Sequence, residues 1–264
     1  MNNTVTVVSC YYIIPNKHTF QQYEVWIKNF MSLSMYKHIF CDTSSHMYLS
    51  NLYPENDTLK YTIKELDDLY VNKWNWKKDE LLDLENRPGH NELLYKIWNE
   101  KVFFLYDATQ LNVYNSNVYI WTDIGSFRQE NHMINFTNYP NYNKIVQHKI
   151  NIFQIKSLDD ENYKIYNIDN RFKFKNKIAA GFFGGTIDVI LEFKDLYEKM
   201  IDAFDQNNLF KGKEQYLYNF IILQNKSLFH IIPVLHYNYI KSNITNTIIR
   251  ILYDKWFYAH YYWS

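Results

Sequence analysis

Two short apolar runs separated by one amphipathic helix restrict this chain more than any other feature in it. Thr4–Cys10 alternates and is rich in Val and Thr, which predicts a strand. From Thr19 to Leu33, the apolar residues Tyr23, Trp26, Phe30 and Leu33 recur at i, i+3, i+7 and i+10, the spacing of a helix with one buried face. Lys37–Cys41 (KHIFC) is a second short strand-like run, closed by the loop residues Asp42-Thr43-Ser44-Ser45. A strand, a helix and a strand within about 40 residues form a βαβ unit, so the expected class is α/β, with a mostly parallel central sheet flanked by helices.

The pattern continues downstream. Asn86-Arg87-Pro88-Gly89-His90 is a break before a helix from Asn91 to about Ala108, whose apolar stripe holds Leu94, Ile97, Trp98, Leu105 and Ala108. Lys101 falls in the middle of that stripe; it either snorkels past the helix end or points into a polar pocket at the edge of the core. Asn117–Thr122 (NVYIWT) is apolar on both alternating faces, as a central strand of a parallel sheet would be. Lys177–Ala180 leads into Gly181-Phe182-Phe183-Gly184-Gly185-Thr186, with Thr186 as the expected N-cap of a helix carrying Val189, Ile190, Phe193, Tyr197, Ile201 and Phe204. Residues 51–90 and 131–175 are polar and irregular. No internal repeat or flexible linker appears, so residues 1–264 read as a single domain.

Composition narrows the function classes. With 28 Lys plus Arg against 28 Asp plus Glu the formal net charge is zero, which argues against a dedicated nucleic-acid binder or a membrane-surface protein. No apolar run reaches the roughly 18–20 residues needed to span a bilayer, and the N-terminal apolar stretch has no basic leader. Two cysteines, Cys10 and Cys41, are too few for a disulfide framework, so the expected compartment is the reducing cytoplasm. The abundance of Asn, Ile, Lys and Tyr is the signature of an AT-rich coding sequence, which makes the scarce residues informative. Three of the six glycines fall within residues 181–185, and Arg128, one of four arginines, lies five residues after Asp123.

Asp123 closes the NVYIWT strand, and open α/β sheets bind ligands at the carboxyl ends of their strands. A diphosphate bound through a divalent cation needs a hard carboxylate on the metal and a cation on the remaining phosphate charge; Asp123 and Arg128 offer both. The bland alternative is an Asp that caps a turn and pairs with the Arg at the surface. The GFFGG stretch offers close backbone approach and, with the following helix, free N–H groups for an anion, or else a tight strand-to-helix connection. It lacks the spacings of a dinucleotide or NTP-binding loop. Gly212-Lys213-Glu214-Gln215 sets a carboxylate beside an amide, suited to sugar hydroxyls or simply to a solvated helix start. Tyr11, Tyr12 and Trp121 are candidates to stack on a base or sugar face. The nine histidines form no close metal pair; His236, after Pro233, is the one best placed to matter.

Four blocks, TVVSCYY, HNELLYKIWNEKVFFLYDA, VYIWTDIGSFR and AAGFFGGTIDVI followed by GKEQYLYNFIILQNKSLFHIIP, together resemble the HtrL/YibB-like proteins, a family grouped with glycosyltransferases of the GT-A type. The resemblance covers most of the chain, with gaps at about 51–88 and 131–175. It implies a GT-A-like, Rossmann-type domain whose residues 1–128 bind the nucleotide and whose residues 129–264 bind the sugar and acceptor. It also implies an Asp-x-Asp motif holding a divalent metal against the donor diphosphate; Asp123 matches the first Asp, but Gly125 stands at the second position. EQYLYN resembles the DQ-x-x-x-N element of related hexosyltransferases, which implies that Glu214 and Gln215 face the transferred sugar and that Asn219 supports the turn. By position, Ser9, Tyr11 and Asp42 would hold base and ribose, and Gly184 and Gly185 would border the donor sugar or acceptor.

The expected function is transfer of a hexose from a UDP-sugar to a hydroxyl of a glycan or protein acceptor. Mn²⁺ or Mg²⁺ on Asp123, with His236 or water completing the shell, would assist together with Arg128 and Lys101, because stabilising the departing diphosphate lowers the barrier. Glu214 is the leading base if the enzyme inverts; the analogy slightly favours retention. A catalytically inactive carbohydrate- or protein-binding module on the same fold is the second reading, supported by the missing second Asp. A nucleotidyltransferase is a third, weakened by the absence of a Gly-rich basic loop after the first strand.

Overall fold

The computed structural model describes residues 4–15, 18–85, 87, 89–158, 176–233 and 258–264. Among the described residues, seven strands lie in one sheet: β1 (Val5–Tyr11), β2 (Tyr36–Cys41), β3 (Leu59–Ile63), β4 (Val118–Thr122), β5 (Ile150–Gln154), β6 (Ile178–Thr186) and β7 (Phe229–Ile232). Their order is β3-β2-β1-β4-β6-β5-β7. β3, β2, β1 and β4 are mutually parallel, β6 runs antiparallel to both β4 and β5, and β7 is parallel to β5. Six strands therefore share one direction and β6 alone opposes it, the mostly parallel sheet that the βαβ pattern implies.

The helices are α1 (Phe20–Met31), α2 (Thr43–Leu52), α3 (Lys77–Leu82), α4 (Glu92–Leu111), α5 (Ile187–Gln206), α6 (Glu214–Gln224) and α7 (Tyr258–Trp263). α1 starts where Thr19 and Gln22 form a reciprocal capping box, and α4 where the Asn91 side chain accepts from the Leu94 amide. Ile27 and Phe30 of α1 and Leu49 of α2 pack on one sheet face with Val5, Val7 and Ile120. Phe104 of α4, Phe193 of α5 and Leu217 of α6 cover the other, against Val8, Trp121 and Phe183. β1 and β4 are buried along their whole length, as a strand with helices on both sides must be. Each fully enclosed Val, Ile or Phe in these layers contributes about 1.5–3 kcal/mol.

The segments 51–90 and 131–158, irregular in sequence, supply β3, α3, short 3₁₀ turns and β5. From β1 the chain builds outward through β2 and β3, then returns to place β4 on the opposite side of β1. That reversal leaves a crevice beyond the carboxyl ends of β1 and β4, the place where open α/β sheets take ligands.

The direction of β6 overturns one expectation. All of Gly181–Gly185 lies within this strand, not in a loop before a helix. Because β6 is reversed, its end at Thr186 sits beside Val118, the first residue of β4. The N-terminus of α5 is thus about 16 Å along the sheet from the crevice, and it cannot present its amides to an anion bound there. Gly184 and Gly185 serve the sheet. A Cβ on Gly184 would meet the Tyr119 carbonyl oxygen at 2.1 Å, and one on Gly185 would meet that of Lys149 at 2.3 Å.

Candidate functional site

At the carboxyl end of β4, Asp123 receives its backbone partner from within β6: its amide donates to the Gly181 carbonyl at 3.0 Å. Its side chain turns toward α4. Lys101 reaches it from the middle of that helix, with Nζ 3.0 Å from Asp123 Oδ1 and 2.8 Å from Glu214 Oε1, where α6 begins. The side chains of Lys101 and Glu214 are almost wholly buried, whereas Asp123 is 42% exposed. Lys101 therefore points into a polar pocket and does not snorkel. The Trp121 indole N–H donates to Asp123 Oδ1 at 2.7 Å, fixing the carboxylate from the strand below.

Burial lowers the proton affinity of the Lys101 ammonium, but the adjoining Asp123 and Glu214 carboxylates outweigh it and raise its pKa, so it stays charged. Burial raises the pKa of Glu214; Lys101 opposes that shift and Asp123 adds to it. A turn just upstream delivers Glu214 to this position. The fully buried Asp79 of α3 accepts from the amides of Lys211 and Gly212 and from Lys211 Nζ, at 2.7, 3.1 and 2.6 Å.

Two lobes of one hollow meet over this group, sharing Trp98, Lys101, Asp123, Ser126 and Arg128. One, of about 140 Å³, lies at the end of β1 and is walled by Tyr11, Tyr12, Tyr23, Trp26 and Trp121, with Cys10 beneath. The other, of about 340 Å³, is polar and is lined by Glu85, Arg87, His90, Gly181, Lys213, Glu214 and Gln215. Arg128 stands between them, its guanidinium 4.4 Å from the Trp26 ring centre and its Nε donating to the Gly125 carbonyl at 3.2 Å.

The structure thus brings together Lys101, Asp123, Arg128, Glu214, Gln215 and Tyr11 around one hollow. Gln215 faces it while its amide donates to the Ile178 carbonyl at 2.8 Å. Other expected residues stand elsewhere. Ser9 is fully enclosed within β1 and lines neither lobe. Asp42 caps α2, accepting from the Ser45 amide at 2.7 Å and the Ser44 hydroxyl at 3.0 Å. Gly184 and Gly185 pair with β4 and β5 away from the hollow, and Gly181 takes their place at its edge. His236 lies outside the described residues. Trp98, His90, Lys213 and Gly181 are wall residues that sequence reasoning did not assign. Gly181 carries a visible signal, since a Cβ there would approach Asp123 Oδ2 to 3.0 Å, but only the sheet register separates it from its neighbours.

Among the described residues, the donor set at Asp123 does not fit a divalent cation. Gly125 supplies no second carboxylate, and both Asp123 oxygens already accept hydrogen bonds, Oδ1 from the Trp121 indole N–H and Oδ2 from the Lys101 ammonium at 3.3 Å. Among the described residues, no cluster of three or more His, Cys, Asp and Glu side chains forms an alternative set. Lys101 is a buried, fixed cation at the centre of this hollow. No helix among the described residues is long and apolar enough to cross a membrane. No family model and no curated protein matches the chain.

Proposed function

We propose that the chain transfers a hexose-type sugar from a nucleoside diphosphate sugar, a UDP-sugar in the first instance, to a hydroxyl of a glycan or protein acceptor. The observation that carries this reading is the buried Lys101 ammonium held between Asp123 and Glu214 where an aromatic lobe meets a polar one. A nucleotide sugar has the matching three parts. Its planar base suits the Tyr11, Tyr23 and Trp26 wall, and its diphosphate needs cations at the junction. Its sugar needs carboxylate and amide partners such as Glu214 and Gln215. Breaking the anomeric bond puts negative charge on the departing diphosphate, and preorganised Lys101 and Arg128 stabilise that charge without reorganisation at the moment of reaction. The free thiols of Cys10 and Cys41, both buried, support a cytoplasmic setting.

UDP should raise the melting temperature and UMP should raise it less, with the difference lost in Lys101→Met. No shift with any nucleoside diphosphate would overturn the proposal. Gly125 favours a second reading, a module that binds the donor or a glycan but has lost turnover. Slow hydrolysis of bound donor separates the two, because only a transferase cleaves the anomeric bond.

A further inference from the structure

The loop between α3 and α4 carries a hydrogen-bonded pair that the site described above does not use. His90 Nδ1 lies 2.5 Å from Asp83 Oδ2, and both side chains are nearly buried, at 4% and 2% exposure. Asp83 Oδ2 also accepts from the Tyr95 hydroxyl at 2.9 Å, and Oδ1 accepts from the Glu85 amide at 2.9 Å. Burial pushes the Asp83 pKa up, but the hydrogen bonds from His90, the Glu85 amide and Tyr95 outweigh it and hold the carboxyl below its ordinary value. An ionised carboxylate only accepts, so the proton of neutral His90 must sit on Nδ1 and leave Nε2 with a bare lone pair. The ring is clamped edge-on by Trp98 at 5.3 Å and Tyr95 at 6.2 Å. His90 lines the polar lobe, and Nε2 has no hydrogen-bond partner among the described residues.

A carboxylate that orients an imidazole at the wall of a ligand-sized hollow, and leaves its second nitrogen without a partner, is the arrangement of a general base. Glu214 is less suited to that task because its Oε1 is committed to Lys101. We propose that His90, oriented by Asp83, removes the proton from the attacking hydroxyl in the polar lobe. This inference rests on the transferase reading. In the step, the acceptor oxygen forms a bond to the anomeric carbon and the bond from that carbon to the diphosphate oxygen breaks. The electron pair leaves with the diphosphate, and the hydroxyl proton passes to His90 Nε2. A base-assisted single displacement inverts the anomeric configuration, opposite to the retention that the family resemblance slightly favours. The charged groups facing His90 are Asp83 on its own loop, with Glu85 and Arg87 beside it, and Lys213, Glu214, Lys101, Asp123 and Arg128 around the lobe. Glu85 pairs with Lys213, so the acidic neighbour nearest in sequence to Asp83 is itself neutralised.

His90→Asn supplies the test, because its amide can still donate to Asp83 while the base is gone. In the ligand-free protein, ¹⁵N spectra of labelled histidine, assigned by the signal missing in the variant, should show His90 protonated on Nδ1 at neutral pH. The Nε2-protonated form would overturn the proposal. The second arm uses whichever of UDP-glucose, UDP-galactose and UDP-N-acetylglucosamine gives the largest thermal shift. Wild type should release the β-anomer of the sugar from this α-linked donor. His90→Asn should lower kcat for donor hydrolysis by about 100- to 10,000-fold with KM and the UDP shift unchanged. Unchanged hydrolysis, or release of the α-anomer, removes His90 as the base and leaves the transferase reading standing. Absence of both the UDP shift and hydrolysis in wild type removes that reading and the base role with it.

Discussion

Lys101 and Glu214, 113 residues apart in the chain, meet at 2.8 Å in a buried ion pair at the carboxyl edge of the sheet. The pair joins α4 to the first turn of α6, and its second carboxylate, Asp123, ties both helices to β4. A buried cation shared by two acids is costly to desolvate and is retained where its charge has a use or its geometry fixes a register.

Removing the ammonium should therefore affect both stability and binding. Lys101→Met leaves Glu214 buried without its counter-charge, and one-sided loss of a buried pair costs about 3–5 kcal/mol. Glu214→Gln should cost less, because burial already raises the Glu214 pKa and Gln resembles the protonated acid. Urea unfolding gives the stability order wild type, Glu214→Gln, Lys101→Met. The UDP thermal shift should vanish only in Lys101→Met. A full UDP shift in that variant would show that the ammonium does not hold the diphosphate.

Metal removal should change little. If Lys101 is the resident cation, UDP binds with the same affinity, within about twofold, in EDTA and in Mn²⁺, as isothermal titration can measure. A tenfold gain in Mn²⁺, equal to 1.4 kcal/mol, would mean that Asp123 accepts a divalent ion despite its donors.

Two glycines, three residues apart, should behave oppositely. Gly184→Ala sets a Cβ against β4 backbone, 2.1 Å from the Tyr119 oxygen and 2.8 Å from Ile120 Cα, where nothing can yield without breaking the ladder. A loss of at least about 3 kcal/mol, or insoluble protein, is expected. Gly181→Ala meets only the movable end of Asp123 at 3.0 Å. It should fold with a stability change within about 1 kcal/mol while weakening the UDP shift. Expression yield and thermal shift together decide the comparison.

The framework is legible in sequence because each signal there is local. β1, α1, β2, α4 and β4 follow from the period of their apolar residues, and Asp123 from its place one residue past an apolar strand. The meeting of Lys101 with Asp123 and Glu214 is only half legible: the stripe on α4 shows that Lys101 faces inward, but not what it meets. The GFFGG stretch misleads because glycine clustering looks alike in a phosphate loop and in a strand pressed between neighbours. The direction of β6 decides between them, and strand direction is a property of long-range pairing. Asp42 shows the same limit, since a carboxylate after a strand serves a helix cap as readily as a ribose. His90 carries no signal in sequence, because Asp83 and Tyr95 converge on it only when the loop folds back on α4.

His38 gives a prediction that is independent of any ligand. It is fully buried in β2, its Nε2 lies 2.7 Å from the Thr62 hydroxyl, and its Nδ1 has no partner. Burial lowers its pKa from 6.5 to about 4, with Glu55 opposing. The imidazole is therefore neutral in the native state down to about pH 4, whereas in the unfolded chain it takes up a proton below about pH 6.5. The unfolded state binds more protons between those values, so stability falls as pH drops through that window and levels off below it. Above pH 6.5 both states are neutral and His38 has no effect. A difference of about 2.5 pKa units corresponds to about 3 kcal/mol. His38→Gln keeps a partner for Thr62 and cannot titrate, so the gap in unfolding free energy between it and wild type should shift by about that amount, in favour of the variant, from pH 7.5 to pH 4. His230 and His260 are also lowered by burial, but they are common to both proteins and cancel in the comparison. A gap independent of pH would mean that His38 is solvated in the native state.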